Sequence, residues 1–245
     1  MPDAFPEPGG WAANCPRSNM LRQHIRRVVT KLGVLIHAAD EAIGRQTLPP
    51  FGNKPVNLRI ELPRRIINPD RMFFGKDVSL GPGSFLIAHT HYPTATMQGP
   101  GSRRIRQSFD SKIVVGDRTT ATGGLQLAAH ERITIEEDVL FASNIHINDG
   151  LHGYETAEVP YKFQPISQIA PIRIKRGSWV GQNVVILPGV TIGENCIVGA
   201  NSVVNQDVPD RCVAVGNPAK VVKRWDAKRR EWVSSTGPLK KSANA

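Results

Sequence analysis

An aliphatic residue returns every six positions along the C-terminal half of the chain. From residue 174 these positions are Ile174, Val180, Ile186, Ile192, Val198 and Val204. The fifth place of each six-residue block holds a small or β-branched residue: Ser178, Val184, Val190, Cys196, Ser202 or Val208. The same phase occurs in residues 74–85, 115–120 and 135–152. A period of six fits neither a helix nor simple strand alternation, so it predicts short strands and tight turns stacked in repeated coils.

Glycine occupies the second place of several blocks, at Gly181, Gly193 and Gly199. Because glycine reaches positive φ without steric cost, these places are predicted to be turns. The aliphatic first place and the small fifth place are expected to point into the core.

A helical periodicity marks the N-terminal part of the chain. Between residues 20 and 43, apolar residues recur at helical spacing, with basic residues between them. The apolar positions are Leu21, Ile25, Val28, Val29, Leu32, Leu35 and Ile36. The pattern predicts an amphipathic helix, with Ser18 as candidate N-cap and Gly44 as candidate end. Gly33 lowers the helix propensity of its middle. We expect its apolar face either to pack on the coils or a neighbouring subunit, or to lie on an anionic membrane surface.

Composition and targeting signals narrow the class of protein. The 245 residues are 40% hydrophobic and 6% aromatic, which favours one globular domain with appendages. The longest weakly polar stretch, residues 28–44, carries charges and does not predict a membrane span, and the chain does not open like a signal peptide. Cys15, Cys196 and Cys212 lack C-x-x-C spacing, so they predict neither a disulfide framework nor a zinc site. A cytoplasmic protein is expected.

The chain has a formal net charge of +10, and basic residues cluster near its two ends. The two basic clusters are Arg22, Arg26, Arg27 and Lys31, and Lys220, Lys223, Arg224, Lys228, Arg229 and Arg230. They indicate either a solvated basic surface or an anionic partner, such as a phosphate-bearing cofactor or a membrane. Nucleic acid is disfavoured, because the clusters lack interleaved aromatic residues and no nucleic-acid-binding motif accompanies them.

The repeat resembles a known family in two segments. The hexad pattern, the sequence DGLHGYE at residues 149–155 and the stretch from PIRIKRGSWVGQ to GNPAKVVKRW at residues 171–225 are similar to the hexapeptide-repeat acyltransferases. Within them the chain looks most like the bacterial polysaccharide and sugar O-acetyltransferases, relatives of the galactoside, maltose and streptogramin acetyltransferases.

The resemblance implies a fold and an assembly. The expected fold is all-β, a left-handed parallel β-helix at residues 61–225 with a projecting loop at 153–170. An N-terminal extension with the amphipathic helix would occupy residues 1–60, and a basic C-terminal tail residues 226–245. The resemblance also implies a homotrimer.

His152 ends the last hexad before the loop, where the family's catalytic histidine stands. A neutral imidazole near pH 7 suits proton abstraction from a hydroxyl, so His152 is the predicted general base. Asp149, Tyr154 and Glu155 are candidates for orienting the imidazole or contacting the acceptor. For Asp149 the alternative is a turn residue in the Asn-Asp-Gly sequence.

The resemblance implies acetyl-CoA as donor, in a groove between adjacent subunits. Its candidate contacts are Trp179, Gly181, Gln182, Gly199, Ala200, Asn205, Gln206, Lys220 and Lys223. Backbone amides near Gly181 are candidates for an oxyanion hole, and Gly199 and Ala200 for room beside the pantetheine arm. Alternatively, Trp179 packs at a corner and the two glycines are hexad turns. Asn205 and Gln206 replace the usual Thr or Ser and Lys or Arg, and Lys220 and Lys223 are candidates to compensate.

The expected surface or turn residues are His89, His91, His130 and His146, whereas His24 and His37 belong to the helical pattern, and no metal is expected. The alternative is a zinc site like that of a carbonic anhydrase with a hexapeptide β-helix, formed here by His130, His146 and His152. The spacing of these three histidines does not match the ligand pattern of that enzyme. Cys196 and Cys212 occupy small apolar places and are predicted to be buried.

Together these features predict an acetyl-CoA-dependent O-acyltransferase acting on a sugar hydroxyl of a cell-surface polysaccharide or its precursor. The predicted location is the cytoplasm or the inner face of the cytoplasmic membrane. The alternatives are N-acetylation of an amino sugar on a nucleotide carrier, acetylation of a small acceptor, and a non-catalytic β-helix scaffold.

Overall fold

The computed structural model describes residues 16–93 and 105–235, with backbone alone at residues 16–21 and 37. Cys15 and the last part of the predicted tail, residues 236–245, lie outside the described residues. Contacts divide the chain into two units, one ending at Ile43 and one starting at Gly44. No helix in the described ranges has both the length and the apolar character needed to cross a membrane.

The N-terminal unit is built around a helix, α1, which spans Pro16–Gln46. The helix is longer than the pattern of residues 20–43 predicted at both ends: it continues past Gly44 and runs unbroken through Gly33. Most of its described apolar side chains are half exposed or more, including Ile25 at 53%, Leu32 at 55% and Leu35 at 66%. The predicted helix is therefore confirmed, with different ends.

The second unit consists of short strands. Those in its first part are β1 (Arg59–Ile60), β2 (Arg64–Ile67), β3 (Met72–Phe74), β4 (Ser79–Leu80), β5 (Ser84–Ala88), β6 (His91–Tyr92), β7 (Gln107–Ser108), β8 (Lys112–Val115), β9 (Thr120–Gly123), β10 (Gln126–Ala129), β11 (Arg132–Ile135) and β12 (Leu140–Ser143). A 3-10 turn at Pro69–Arg71 precedes β3.

The later strands are shorter still. They are β13 (His146–Asn148), β14 (Leu151–His152), β15 (Ile166–Ser167), β16 (Ile172–Ile174), β17 (Trp179–Val180), β18 (Val185–Ile186), β19 (Thr191–Ile192), β20 (Ile197–Val198), β21 (Val203–Val204), β22 (Cys212–Val215), β23 (Lys220–Asp226) and β24 (Glu231–Ser234). A second 3-10 turn spans Tyr161–Phe163.

Three sheets form the sides of a parallel β-helix. Their strand orders are β1-β4-β9-β12-β17-β20-β22-β23-β24, then β2-β5-β10-β13-β18-β21, and β19-β16-β11-β8-β3. Successive strands of one sheet belong to successive coils, and they pair in parallel up to β22. The predicted parallel β-helix is confirmed.

The hexad places are buried as the pattern predicted. All six first places from Ile174 to Val204 and all six fifth places from Ser178 to Val208 lie in the core. Cys196 and Cys212 are buried free thiols, as expected. The core is therefore a stack of identical positions from one coil to the next.

The predicted reason for the second-place glycines is wrong. Gly181, Gly193 and Gly199 do not have left-handed φ; they are small because the next coil lies against them. A Cβ on Gly193 would lie 2.5 Å from the backbone nitrogen of Asp210, and one on Gly181 would lie 2.7 Å from that of Ala200.

Left-handed backbone occurs instead at the fourth place of the hexad. The residues are Asp77, Gly83, Arg118, Asp138, Asn144, Gly177, Asn183, Gly189, Asn195 and Asn201. Asn, Asp and Gly tolerate this conformation best. At one corner the side-chain amide of Asn144 donates to Asn183 over 3.3 Å, and that of Asn183 donates to Asn201 over 3.0 Å. The turns of successive coils are thus linked to one another.

The β-helix is extended at its C-terminal end by an antiparallel hairpin. Strand β23 pairs with β22 and with β24, and the rings of Trp225 and Trp232 meet edge to face at 5.5 Å. Residues 226–234, which the sequence assigned to a tail, therefore include an ordered turn and a strand.

Two segments leave the coils. The first excursion, residues 90–110, starts after β5 and carries the β6–β7 hairpin; its residues 94–104 lie outside the described ranges. The hydroxyl of Ser111 donates to the carbonyl of His89 over 2.6 Å at its base. The second excursion, residues 150–169, carries the β14–β15 hairpin, and the Ala170 amide donates to the Asp149 carbonyl over 2.9 Å at its base.

Candidate active site

Both excursions leave the β-helix at the same corner. Ala88 at the end of β5 pairs with Ala129, and Asn148 at the end of β13 pairs with Ala128. Successive coils therefore place His89, His130 and the start of the second excursion one above another. Segments that are distant in sequence project side by side from this corner.

The corner is filled by a buried histidine and a buried carboxylate. His130 is 6% exposed, and its ring stacks on that of His89 at a centroid distance of 4.3 Å. The Oδ1 atom of Asp149, which is fully buried, accepts from the His130 backbone amide and lies 3.3 Å from His130 Nδ1. Its Oδ2 atom accepts from the Glu131 amide over 2.9 Å. His130 therefore lies at a turn, as one of the two expectations had it, but it is buried and not a surface residue.

His152 lies in the first strand of the second excursion. It pairs with Ile166 in the antiparallel β14–β15 ladder, so it stands beyond the corner rather than at the end of a coil. Its side chain is exposed. A side chain in this position is accessible to a substrate while a hairpin holds its backbone.

Tyr92 of the first excursion contacts His152. The phenol oxygen lies 3.3 Å from His152 Nδ1, and the two rings meet edge to face at a centroid distance of 5.5 Å. The same hydroxyl donates to the carbonyl of Lys162 in the second excursion. Tyr92 is 5% exposed. One buried tyrosine thus joins the two excursions beside the predicted base.

Gln107 provides a second connection between the excursions. Its side-chain amide donates to the Ile166 carbonyl over 2.9 Å, and its side-chain oxygen accepts from the Ile166 amide over 2.7 Å. Both backbone groups of the residue opposite His152 are therefore held by one side chain. The β6–β7 hairpin fixes the position of the β14–β15 hairpin.

Close packing explains the glycines on both sides of His152. A Cβ on Gly150 would lie 2.8 Å from His130 Nδ1 and 3.1 Å from a methyl group of Ile166. A Cβ on Gly153 would lie 2.5 Å from a carboxylate oxygen of Glu155 and 2.7 Å from the Pro165 carbonyl. Neither glycine leaves room for a side chain.

The electrostatics favour neutral imidazoles at this corner. Desolvation by the surrounding chain, and then the positive charge that His130 can carry, lower the pKa of His152 below its usual 6.5. Desolvation and His130 also lower the pKa of His89, to about 4. Burial raises the pKa of Tyr92, which keeps its phenol protonated. His152 is therefore in the form that accepts a proton near neutral pH.

The three candidate acceptor contacts occupy different environments. Asp149 is buried against His130 and Glu131, so the expectation that it contacts an acceptor or orients His152 is wrong. The turn in this sequence is made instead by Asn148, whose side-chain oxygen accepts from the Gly150 amide over 3.3 Å. Tyr154 is 65% exposed and accepts a hydrogen bond from Gln168 over 2.7 Å. Glu155 is exposed and folds back beside Gly153.

Most candidate donor contacts lie on the longest sheet and the turns beside it, whereas Asn205 and Gln206 follow β21 of the six-stranded sheet. Trp179 is 48% exposed and pairs with Leu140 and Ile197 of the neighbouring coils, so it does not fill the core. The Gly181 amide donates to the Val198 carbonyl over 2.8 Å, and the Gly199 amide to the Ala214 carbonyl over 2.9 Å. The Gly181 amide itself is thus used within the coils, and an oxyanion-hole role for other backbone amides near Gly181 stays a prediction.

A Cβ on Gly199 would lie 2.6 Å from a methyl group of Val215, so packing of the next coil requires a glycine here, and the role of Gly199 beside a pantetheine arm stays a prediction. The remaining polar or small candidates are exposed: Gln182, Ala200, Asn205, Gln206, Lys220 and Lys223. Both lysines belong to β23, which places them on the C-terminal hairpin.

The alternative zinc set is not assembled. His130 is buried against His89, whereas the exposed His146 approaches Gln126 at 3.2 Å. Across residues 16–93 and 105–235, no group of three or more His, Cys, Asp or Glu side chains is arranged to hold a metal ion.

Sequence reasoning missed Tyr92 and Gln107. The signal available was the loss of the six-residue phase between residues 87 and 112, which marks an excursion like that after His152. The pairing of the two excursions depends on which coils stack, and no local pattern contains that information.

Comparisons with known proteins agree with this fold. Residues 171–206 match the family described as bacterial transferase hexapeptide (six repeats). WbbJ of Escherichia coli strain K12, whose name describes a lipopolysaccharide biosynthesis O-acetyl transferase, is 32% identical over 127 residues, which are 49% of this chain and 64% of WbbJ. A protein of Staphylococcus aureus strain COL, named as an acetyltransferase, is 45% identical over 78 residues, 30% of this chain and 39% of that protein.

The chain spans 39% to 64% of the length of these relatives. Among solved structures, the S84T mutant of AntD, an N-acyltransferase from Bacillus cereus in complex with dTDP and coenzyme A, superposes with a TM-score of 0.56 at 19% identity. The match covers 71% of this chain and 84% of AntD and concerns the fold. The chain is thus similar to the bacterial transferase hexapeptide family over residues 171–206, and the preceding coils repeat the same six-residue geometry.

Proposed function

We propose that the chain is an acyl-CoA-dependent O-acyltransferase that transfers an acetyl group to a sugar hydroxyl of a cell-surface polysaccharide or its precursor. The observation that carries the proposal is the placement of His152: an accessible imidazole with a lowered pKa, held between two excursions at one corner of a hexapeptide β-helix. WbbJ, whose name describes O-acetyl transfer in lipopolysaccharide biosynthesis, supports the choice of acceptor.

The chemistry is direct transfer in a ternary complex. His152 accepts the proton of the acceptor hydroxyl as its oxygen attacks the thioester carbonyl. The tetrahedral intermediate collapses, the carbon–sulfur bond breaks, and the imidazolium returns its proton to the departing thiolate. No covalent acyl-enzyme forms.

We place the donor along the longest sheet. Leu140 and Trp179 are 47% and 48% exposed on paired strands, and together they present an apolar strip to a pantetheine chain. Lys220 and Lys223 on the C-terminal hairpin are the cations for the CoA phosphates. The proposal retains Gln182 and Ala200 as exposed neighbours of this groove, and it assigns Gly181 and Gly199 to coil packing. Asn205 and Gln206 follow β21 of the six-stranded sheet, so within one subunit they do not border this groove.

The assembly in this proposal is a homotrimer, with the donor groove between neighbouring subunits. The β-helix of residues 61–225 is the transferase domain and works in the cytoplasm, where acyl-CoA is supplied. Tyr154 and Glu155 of the second excursion are its acceptor contacts.

A second candidate function is N-acetylation of an amino sugar on a nucleotide carrier. AntD, which shares the fold, is an N-acyltransferase crystallised with dTDP. The same base would serve an amine nucleophile, so the acceptor decides between the two reactions.

The test is release of the CoA thiol from acetyl-CoA in the presence of polysaccharide fragments, nucleotide-linked amino sugars, serine and simple galactosides. We expect turnover with a sugar hydroxyl acceptor, with the new ester located by NMR. His152→Ala is expected to reduce turnover by about 10² to 10⁴. The matched control is His146→Ala, an exposed histidine of the preceding strand. Full activity of His152→Ala would overturn the assignment, and no turnover with any acceptor would favour a scaffold.

A further inference from the structure

The geometry points to Tyr92 as the positioning residue that fixes which nitrogen of His152 carries the proton. We infer that Tyr92 holds the neutral imidazole with its proton on Nδ1, so that Nε2 is the basic atom. The inference rests on the proposed function of His152 as a base, and it adds a role for the first excursion.

The direction of each hydrogen bond follows from donor count. A phenol has one proton to donate. The Tyr92 hydroxyl contacts the carbonyl oxygen of Lys162, which can only accept, so the phenol proton points there. The phenol oxygen can therefore only accept a hydrogen bond from His152 Nδ1, which lies 3.3 Å away. The contact is satisfied only when Nδ1 carries a proton.

Burial keeps this arrangement in one protonation state. Tyr92 is 5% exposed, and its burial raises the pKa of the phenol, so the hydroxyl stays protonated through the neutral range. The edge-to-face contact of the two rings, at an interplanar angle of 68°, also restricts rotation of the imidazole.

The tautomer matters because a neutral imidazole has only one lone pair available to accept a proton. With Nδ1 protonated, that lone pair is on Nε2, the ring nitrogen that Tyr92 does not contact. When Nε2 takes the acceptor's proton, both nitrogens are protonated and the Nδ1 contact with the phenol oxygen is unchanged. The base therefore gains and returns a proton without reorganising its partner.

The two excursions are coupled so that this contact is maintained. Gln107 holds both backbone groups of Ile166, the residue paired with His152, and Tyr92 pairs with Gln107 in the β6–β7 hairpin. The tyrosine and the histidine are thus fixed by hairpins that are bonded to each other.

The first measurement concerns the tautomer and does not depend on activity. Nitrogen-15 NMR of the full chain labelled at histidine, with His152 assigned from the spectrum of His152→Ala, distinguishes a protonated ring nitrogen from an unprotonated one. We expect Nδ1 of His152 to be protonated and Nε2 unprotonated at a pH above the His152 pKa. A proton on Nε2 in the unmodified protein would overturn the inference even if acetyl transfer is established.

The second measurement is kinetic. Tyr92→Phe is expected to let His152 exchange between tautomers and to lower kcat about 2- to 10-fold, the range of one neutral hydrogen bond, with KM for acetyl-CoA unchanged. The matched control is Tyr161→Phe, the same chemical change on a 57% exposed side chain of the second excursion, which should keep both kcat and the tautomer.

Each outcome has a distinct meaning. Unchanged kcat in Tyr92→Phe, in a preparation where His152→Ala is inactive, would refute the role of Tyr92 and leave the proposed function intact. If the unmodified protein transfers no acetyl group, the proposed function fails, and the wild-type NMR spectrum still decides the tautomer. If Tyr92→Phe does not fold, that spectrum likewise decides it.

Discussion

The carboxylate of Asp149 is hydrogen-bonded to His130, the residue that follows β10 in the preceding coil. Its Oδ1 atom accepts from the His130 backbone amide and lies 3.3 Å from His130 Nδ1, while Oδ2 accepts from Glu131 over 2.9 Å. This contact joins two coils directly beneath the strand that carries His152. The stability of the corner and the position of the base are therefore linked.

Asp149→Ala should destabilise the protein. The substitution leaves the buried His130 amide and the partly buried Glu131 amide without their acceptor, and we expect a loss of about 2 to 4 kcal/mol in the free energy of unfolding. Chemical denaturation measures it. Asp110→Ala, which removes an exposed pair with Arg71, is the control and should cost less than about 1 kcal/mol. Equal effects of the two substitutions would contradict the role of the buried carboxylate.

Gly150→Ala should displace the corner. The new methyl group would lie 2.8 Å from His130 Nδ1, and His130 cannot yield easily because His89 and Phe109 pack on its ring. We expect a loss of about 1 to 3 kcal/mol in stability, with a lower kcat because His152 follows two residues later. Gly33→Ala in α1, which meets no atom within 4 Å, is the control and should leave both quantities unchanged or slightly improve helix content. A fully active and stable Gly150→Ala would show that the corner has room.

The acid limb of kcat/KM should lie below pH 6.5. His152 is active as the neutral base, and desolvation together with His130 lowers its pKa from 6.5. Activity should therefore persist at pH values where an ordinary histidine is half protonated, and fall only below them. The measurement is the pH profile of acetyl transfer with a saturating donor. A midpoint at or above 6.5 would contradict the lowered pKa.

His89 should make the fold sensitive to acid. Its pKa is about 4 in the folded protein and 6.5 in an unfolded chain, so the unfolded state binds the proton more readily. The contribution of neutral His89 to stability is complete above pH 6.5 and is lost progressively as the pH falls from 6.5 to about 4.

His89→Gln is accordingly expected to lose less stability than the unmodified protein across that window. Denaturation at a series of pH values measures the difference. His24→Gln, on an exposed residue of α1, provides the comparison and should follow the unmodified protein. Parallel curves for all three proteins would exclude His89 as the source of acid sensitivity.

Gln107→Ala should loosen the acceptor side of the site. The substitution removes both hydrogen bonds to Ile166, the partner of His152 in the hairpin. We expect kcat to fall about 10-fold and KM for the acceptor to rise, with KM for acetyl-CoA unchanged, since two hydrogen bonds of about 1 kcal/mol each hold the hairpin. Steady-state kinetics with each substrate varied in turn tests this. Ser108→Ala, an exposed neighbour in β7, should behave as the unmodified protein.

Much of the fold was predictable because the β-helix repeats a local rule. Buried first and fifth places follow from the alternation of core and surface within six residues, and every block from Ile174 to Val208 shows it. The same rule made the break after His152 visible. The glycine prediction failed because second-place glycines are selected by contact with the next coil, which lies outside the block.

The site was predictable only in part. His152 was found from its position beside the break, whereas Tyr92 lies in a different excursion and contacts it across 60 residues of sequence. Asp149 was a candidate for orienting the imidazole or contacting the acceptor because it lies three residues before His152, whereas its partner in the structure, His130, belongs to another coil. A residue three positions from the base looks like a neighbour in sequence, yet its side chain turns into the core.

By itself, the sequence determined the coil period, the buried places, the helix α1 and the residue type suited to proton transfer, since each depends on spacing within a few turns of chain. The tertiary structure alone decided that two excursions leave one corner, that Asp149 supports His130, and that Tyr92 meets His152. Those contacts arise from the vertical stacking of coils. Stacking brings together residues that are far apart in sequence and whose partners no local pattern specifies.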